Sequence, residues 1–178
     1  MHFTLGDYVL DIAQNAVEAG AGEVEIGFRE DPEGFRVSVA DDGIGMTDEE
    51  LGRALDPFYT DGTKHAARRV GLGLPFLAQA VALAGGDWKI DSKKGQGTRV
   101  RFFFPAASFD SPPPGDIPTL FLVLLCLPGE HEMRISRDGP RGAYRLVRSE
   151  LSEALGGLEL GSSLALLKDY LASQEEIE

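Results

Sequence analysis

The stretch from Glu23 to Gly45 reads Glu-Val-Glu-Ile-Gly-Phe-Arg-Glu-Asp-Pro-Glu-Gly-Phe-Arg-Val-Ser-Val-Ala-Asp-Asp-Gly-Ile-Gly and indicates the kind of sheet this chain builds. Apolar residues alternate with polar ones over residues 23–29 and again over residues 35–39, which is typical of half-buried strands. The Asp-Pro-Glu-Gly sequence between them is a turn signal. The stretch therefore predicts a β-hairpin that ends in a glycine-containing loop.

The segments around this hairpin predict an α+β fold. Apolar residues recur at helical spacing over residues 5–19, with Thr4 as N-cap and Gly20 as stop. The other predicted elements are a short capped helix over residues 47–55, an apolar helix over residues 72–84, and strands over residues 87–91 and 98–104. The short hairpin links favour a two-layer α/β sandwich whose mixed, mainly antiparallel sheet is covered by helices on one face.

The order of these elements also predicts how the chain is divided. Residues 1–107 form the main domain, residues 108–115 are a Pro-rich linker, and residues 116–178 form a small C-terminal α/β appendage. The appendage is predicted to contain a helix over residues 116–127, a hairpin within residues 130–147 and two short helices. A piece of about sixty residues is marginally stable alone, so we expect it to pack against the main domain.

Composition restricts the classes of function. The 178 residues carry a net charge of -12, which argues against a nucleic-acid partner because phosphates would be repelled. Neither a signal peptide nor an apolar run of about 20 residues is present, so we expect a cytoplasmic protein with no membrane partner. The single cysteine, Cys126, lies in an apolar run and is predicted to be buried.

Four short blocks carry the functional information. They are Asp11-Ile-Ala-Gln-Asn15, Asp41-Asp-Gly-Ile-Gly45, Gly71-Leu-Gly-Leu74 and Gly95-Gln-Gly-Thr98. Short glycine-containing patterns occur often by chance, so the order and spacing of the four matter more than any one. Together they resemble the histidine-kinase-like ATPase domain shared by DNA gyrase, MutL, the large heat-shock chaperones and sensor histidine kinases.

The resemblance implies that ATP and Mg²⁺ are the cofactors. Asp11 and Asn15 lie four residues apart and so share one face of the first helix. In the family the asparagine holds Mg²⁺, which implies that Asn15 is the metal ligand. The residue four positions earlier is often a glutamate that polarises water, so Asp11, one methylene shorter, is the tentative general base. Alternatively, both are solvated positions on an amphipathic helix.

The second and fourth blocks are implied to read the adenine. By family match Asp41 accepts a hydrogen bond from the adenine amino group, Gly43 and Gly45 allow tight turns, and Thr98 supports the carboxylate. Met46 lines the adenine pocket or packs in the core. A simple Asp-Gly turn and a strand that begins with threonine are the alternative interpretations.

The third block and the loop before it are implied to bind the phosphates. Gly71, Leu72, Gly73 and Leu74 open a helix whose free backbone amides suit phosphate. Lys64, in the basic loop before them, is the candidate contact to the γ-phosphate, or else part of a solvated loop. A flexible hinge into the helix is the alternative for the glycines.

Two classes of function follow from the resemblance. In the first, the protein is an ATPase or a kinase that phosphorylates a regulatory partner protein in trans. In the second, it is a nucleotide-gated protein-binding module, or an anti-sigma-type regulator, with little or no turnover. Sensor kinases carry an upstream helical domain with a phosphoacceptor histidine. This sequence begins directly on the ATPase domain, so we do not expect a complete autophosphorylating kinase. The oligomeric state is left open.

Overall fold

The computed structural model describes residues 4–56 and 73–175. Within these ranges the elements, in chain order, are α1 (Leu5–Glu18), β1 (Glu23–Asp31), β2 (Gly34–Asp41), α2 (Asp48–Ala54), α3 (Gly73–Ala84), β3 (Asp87–Lys93), β4 (Gly97–Pro105), α4 (Ile117–Leu125), β5 (Glu132–Gly139), β6 (Gly142–Val147), α5 (Arg148–Leu155) and α6 (Gly161–Glu175). Each element predicted in these ranges is present, and its ends differ from the prediction by a few residues.

The strands form one sheet in the order β3-β4-β2-β1-β5-β6. All neighbouring strands are antiparallel except β1 and β5, which run parallel. The α+β class with a mixed, mainly antiparallel sheet is therefore confirmed. The division at residues 108–115 stays a prediction, and the sheet continues across it because β5 of the C-terminal segment pairs directly with β1.

The two faces of the sheet differ in burial. Along β1, the side chains of Val24, Ile26 and Phe28 are at most 2% exposed, while the residues between them are half-buried or exposed. The buried side chains face the helical layer and join one hydrophobic core that includes residues of both α1 and α4. The alternation continues across the sheet, which leaves the other face open.

The helices begin where the sequence provides caps. Thr4 and Thr47 each accept a hydrogen bond from the backbone N–H three residues on, and each capping box is closed by the carboxylate at that third residue. These boxes satisfy backbone donors that the first helical turn leaves without partners. The capping box predicted at Thr47 and the N-cap predicted at Thr4 are both present.

The C-terminal segment is packed into the same core. The Phe121 ring of α4 lies edge-on to Phe28 of β1, with ring centroids 6.1 Å apart. The linker is also attached, because the backbone N–H of Leu5 donates to the carbonyl of Pro113 at 2.8 Å. Cys126 was predicted to be buried and is exposed, because it caps α4 on the side facing away from the core. In the described ranges no helix has both the length and the apolar character needed to cross a membrane.

Candidate functional site

The second and fourth sequence blocks meet at one end of the sheet, where the end of the first helix also lies. The last residue of β2, Asp41, lies directly opposite Thr98 of β4 in the strand register. Both side chains lie on the helix-facing side, in line with the buried Val39 and Val100. The carboxylate and the hydroxyl are therefore presented beneath the helices rather than on the open face.

The Asp41 carboxylate is a partly desolvated acceptor. Burial raises the pKa of Asp41, the backbone N–H groups of Gly43 and Thr98 lower it, and the neighbouring charge of Asp42 raises it further, with a net upward shift. Its Oδ1 accepts the N–H of Gly43 at 2.9 Å. A partly desolvated carboxylate gains more from a further hydrogen-bond donor than a fully solvated one does.

The neighbouring Asp42 organises the chain instead. Its Oδ1 accepts the backbone N–H groups of Gly22 and Glu23 at 2.7 and 2.8 Å. Asp42 thus ties the loop after β2 to the beginning of β1, and its side chain points away from the Asp41–Thr98 pair. The loop-structuring role considered for Asp42 fits this geometry.

The loop after Asp41 joins the first helix to the last hairpin. The N–H of Ile44 donates to the carbonyl of Ala19 at 3.1 Å, and the carbonyl of Ile44 accepts the N–H of Gly95 at 2.7 Å. The end of the first helix, the second block and the fourth block are therefore joined by backbone hydrogen bonds, although they lie far apart in the sequence.

Ser92 is a residue of this site that the sequence analysis missed. Its hydroxyl lies 2.8 Å from the Thr98 hydroxyl and accepts the N–H of Met46 at 2.9 Å. Ser92 thus orients Thr98 and fixes the half-buried Met46 in one network. The sequence analysis placed the end of β3 at Asp91. Extending the alternation of Trp88 and Ile90 by two residues would have put Ser92 on the helix-facing side.

The glycines of the site permit close packing of the chain against itself. Gly45 and Gly97 have φ values of +56° and +86°, which favour glycine. A Cβ at Gly45 would overlap the carbonyl of Lys93, and one at Gly97 would overlap the carbonyl of Asp41. At Gly43 an added Cβ would meet the Asp41 carboxylate at 2.9 Å. These glycines therefore hold the two loops together beside Asp41.

The first helix presents one row of residues toward the site. Asp11, Asn15 and Ala19 are four residues apart, so they share one face of α1. At one end of the row the Ala19 carbonyl bonds the loop after β2. At the other end the Asp11 carboxylate lies so close to Gly73, the first described residue of α3, that a Cβ there would overlap it. Asn15 therefore lies between the Asp41 loop and the beginning of α3.

Asn15 fits the role of a magnesium ligand in its chemistry. It is half-buried, and within residues 4–56 and 73–175 no hydrogen bond occupies its side-chain amide. The same ranges contain no group of three or more His, Cys, Asp or Glu residues able to hold a metal ion. Magnesium prefers oxygen ligands and is commonly held by one or two protein groups together with substrate phosphates and water.

The third block is only partly within the described residues. Gly73 and Leu74 are the first two residues of α3, and Leu74 packs against the core. Lys64, Gly71 and Leu72 lie outside the described residues. The roles assigned to these three residues stay predictions.

Cavity size does not locate this site. A cavity of about 1160 Å³ lies on the open face of the sheet, away from the Asp41 carboxylate. A smaller one of about 320 Å³ borders Asp41, Ser92 and Thr98. The hydrogen bonds between the sequence blocks locate the site better than cavity size does, because part of the third block lies outside the described residues.

Comparison with known proteins identifies the family to which the first part of the chain is similar. Residues 4–108 match the profile of a family described as histidine kinase-, DNA gyrase B-, and HSP90-like ATPase. Among curated proteins, the chain is 35% identical over 105 residues to sensor histidine kinase WalK of Bacillus subtilis (strain 168). It is 32% identical over 99 residues to sporulation kinase E of the same strain. These matches cover 54% of this chain, but only 17% and 13% of the two relatives.

Solved structures extend the likeness of fold. The N-terminal domain of a DNA repair protein superimposes with a TM-score of 0.54 at 12% identity, covering 90% of this chain and 58% of that one. At 90% coverage the shared fold must include most of the C-terminal segment. The catalytic domain of histidine kinase ThkA matches at 25% identity with a TM-score of 0.42, covering 56% of this chain and 65% of that domain.

Proposed function

This chain belongs to the histidine kinase-, DNA gyrase B-, and HSP90-like ATPase family, and we propose that it binds Mg-ATP between α1, the loop after β2, the β3–β4 hairpin and the beginning of α3. The observation that carries the proposal is the convergence at one end of the sheet of Asp41, Thr98 and the α1 row that contains Asn15. ATP binding in a regulatory setting fits the sensor kinases among its relatives.

In this proposal the adenine lies against Asp41. The Asp41 carboxylate accepts a hydrogen bond from the adenine amino group, which guanine lacks at that position. Ser92 orients Thr98 beside this carboxylate. Gly43, Gly45 and Met46 form the adjoining wall. The raised pKa of Asp41 reflects poor solvation of its charge, so a donor from the base would stabilise the ionised form.

The phosphates extend from Asp41 toward α3. Asn15 holds the magnesium ion through its side-chain oxygen, and the ion when bound neutralises phosphate charge. The backbone amides of residues 71–74, with the beginning of α3, hold the phosphate oxygens, and Lys64 contacts the γ-phosphate. Asn15 lies between Asp41 and Gly73. The adenine therefore lies near the Ala19 end of the α1 row, and the phosphates extend toward the Asp11 end.

The ATP is then hydrolysed, or its phosphoryl group is passed to a regulatory partner protein. Positioning and charge neutralisation supply most of the catalysis of phosphoryl transfer. Asp11 orients the attacking group as the general base. We place this activity in the cytoplasm, as part of a signal-transduction system of the two-component kind.

A nucleotide-gated binding module is favoured by one observation. Asp11 Oδ2 is buried, and the carboxylate lies against the backbone of Gly73. In this position the Asp11 carboxylate links α1 to α3, and it is less well placed to act on an attacking water molecule. In this alternative, ATP binding changes the surface that a partner protein recognises, with little or no turnover.

Titration calorimetry with Mg-ATP and a phosphate-release assay separate these functions. We compare wild type with Asn15→Ala and Asp11→Ala, and use Gln14→Ala as control because Gln14 is exposed on the same helix. Asn15→Ala should weaken Mg-ATP binding by roughly tenfold or more, since it removes a ligand to the metal, and Gln14→Ala should not.

The outcomes decide both the site and the activity. Turnover that Asp11→Ala abolishes, with binding retained, supports the enzyme. Tight binding with no turnover, alone or with partner-containing lysate, supports the module. Equal Mg-ATP affinity in wild type and Asn15→Ala would overturn the assignment of the site.

A further inference from the structure

The open face of the sheet carries a continuous row of residues that crosses all six strands. In the strand registers, Lys89 lies opposite Arg101, Arg101 opposite Ser38 and Ser38 opposite Gly27. Gly27 in turn lies opposite Ser136, and Ser136 opposite Arg145. We name these six residues the transverse row. All six line the cavity of about 1160 Å³.

The transverse row is cationic in a strongly acidic protein. It contains three basic side chains and no carboxylate, whereas the chain as a whole has a net charge of -12. Arg101 and Lys89 form ion pairs with Asp91 of β3 at 2.8 and 2.7 Å, but each partner in these pairs is 46% exposed or more. Exposed ion pairs of this kind contribute little to the free energy of unfolding, so the basic side chains can exchange them for contacts with a ligand. Within the part of the chain that the structure describes, Arg145 has no ion pair.

The residues in the middle of the transverse row are small, and two of them are polar. Gly27 has no side chain, and the Ser38 hydroxyl leans over it, since a Cβ at Gly27 would lie 2.6 Å from that oxygen. Ser136 flanks Gly27 on the other side and is exposed. Both hydroxyls are without a hydrogen-bond partner among the described residues, so they are available to the main chain of a ligand.

The dimensions of the row suit an extended polypeptide. Four strand spacings separate Arg101 from Arg145, which is roughly 19 Å at about 4.8 Å per strand. An extended segment of about six residues has this length, at about 3.3 Å per residue. A segment laid across the strands would thus place a carboxylate near each basic end and its backbone over the serines.

The rows on either side of the transverse row differ from it because they contain carboxylates as well as basic residues. Asp87 and Asp138 lie in the row on one side, and Asp91 and Glu25 lie in the row on the other side. The same two rows also contain four arginines, of which Arg29, Arg36 and Arg134 form ion pairs with carboxylates. A long polyanion such as single-stranded nucleic acid would meet these carboxylates. The aromatic ring of Phe103 is already covered by the Arg36 guanidinium, 4.2 Å from its centroid, so it does not offer a stacking surface for bases.

We propose that the transverse row binds an acidic segment of a partner protein, about six residues long and extended across the strands. The surface lies on the opposite side of the sheet from the Asp41 carboxylate, so the segment and ATP would bind together. Complementary charge would set the specificity and the association rate, and the serines and Gly27 would set the path of the segment.

Fluorescence anisotropy with a fluorescein-labelled octaglutamate peptide tests the proposal. The test variant is Arg101→Glu with Arg145→Glu. The control is Arg53→Glu with Lys168→Glu, which changes the net charge equally on helices α2 and α6. Octalysine and an eight-nucleotide single-stranded DNA serve as alternative ligands. Isothermal titration with Mg-ATP runs in parallel on each variant.

The peptide should bind the wild type and the control, and the affinity of the test variant should be lower by about tenfold or more. Retained Mg-ATP affinity in that variant would separate this result from the ATP site. Ser136→Asp, a single exposed change, should also weaken the peptide if the double variant fails to fold. Failure of the peptide to bind saturably, equal affinity in test and control variants, or preference for the DNA would overturn the proposal.

Discussion

The adjacent aspartates at the end of β2 differ in what they do. Asp41 is a partly desolvated acceptor on the helix-facing side, and Asp42 bonds two backbone N–H groups at the start of β1. We expect Asp41→Asn to weaken ATP binding by roughly tenfold or more, because a buried hydrogen bond to a charged group contributes about 1.5–3 kcal/mol. The amide can still accept the Gly43 N–H, so the fold should be retained.

The free energy of unfolding of Asp41→Asn, relative to that of the wild type, should increase as the pH rises. A folded-state pKa raised above the unfolded value means that ionisation opposes folding. This penalty is absent at low pH, develops as the pH rises from the unfolded value through the raised one, and is complete above it. Asn does not ionise and escapes the penalty. Thermal melts at several pH values test this. Asp42→Ala is the comparison, and it should lower stability while Asp41→Asn should not.

His131 is a buried base with a pH-dependent cost. It is 8% exposed, and neither ring nitrogen has a hydrogen-bond partner within the described residues. Burial is the main cause that lowers its pKa, Arg148 lowers it further, and Glu132 raises it. The unfolded chain therefore binds the proton more tightly, and stability is lost as the pH falls below about 6.5.

The variant His131→Leu isolates this contribution. Its urea midpoint should fall less than that of the wild type between neutral and mildly acidic pH, because the carboxylates titrate alike in both proteins. If the two proteins show parallel pH profiles, His131 is not the group responsible.

At the site, the helices α1 and α3 are in close contact. A Cβ at Gly73 would overlap the Asp11 carboxylate. We expect Gly73→Ala to destabilise the protein by about 1–3 kcal/mol through overpacking. Asp11→Ala in the same chain should recover most of this loss, so the double-mutant cycle should show strong coupling. Urea denaturation of the four proteins measures it.

Gly52 provides the matched control for that prediction. It lies inside α2, and an added Cβ would meet nothing within 4 Å. Gly52→Ala should stabilise the protein by about 0.5–1 kcal/mol, since alanine is the better helix former. Equal effects of the two glycine substitutions would contradict a close contact between Asp11 and Gly73.

Local patterns predicted the helices and strands because the cues for them lie within a few residues. The capping box at Thr47 and the alternation through Phe35 and Val39 depend only on sequence neighbours. The contribution of Ser92 depends on its distance from Thr98 and Met46, which sequence spacing does not give. Likewise, the exposure of Cys126 depends on which side of α4 faces the core.

Considered as a whole, the molecule should unfold as one unit. The α4 residue Phe121 is 0% exposed and packs against Phe28 of β1, so both parts of the chain share a core. Phe121→Ala should destabilise the protein by about 3–5 kcal/mol. The single tryptophan, Trp88, lies in edge strand β3, at the other end of the sheet from β5 and β6.

Trp88 therefore reports whether the loss reaches the far edge of the sheet. Its fluorescence transition should shift in Phe121→Ala together with the circular dichroism transition. Val123→Ala, on the exposed side of the same helix, should shift neither by more than about 0.5 kcal/mol. A Trp88 transition unmoved by Phe121→Ala would indicate an independent C-terminal domain.

Short-range order was legible in the amino acids: the hairpin after Glu23, the caps, and the glycine-containing blocks with their likeness to an ATPase family all depend on neighbouring residues. Only the tertiary structure shows that β5 pairs in parallel with β1 and that Asp11 lies against Gly73. It also shows that six residues from six strands align across the open face. The reason is that strand order and register arise from the burial of a shared core, and contacts between distant segments leave no periodic signal in either segment.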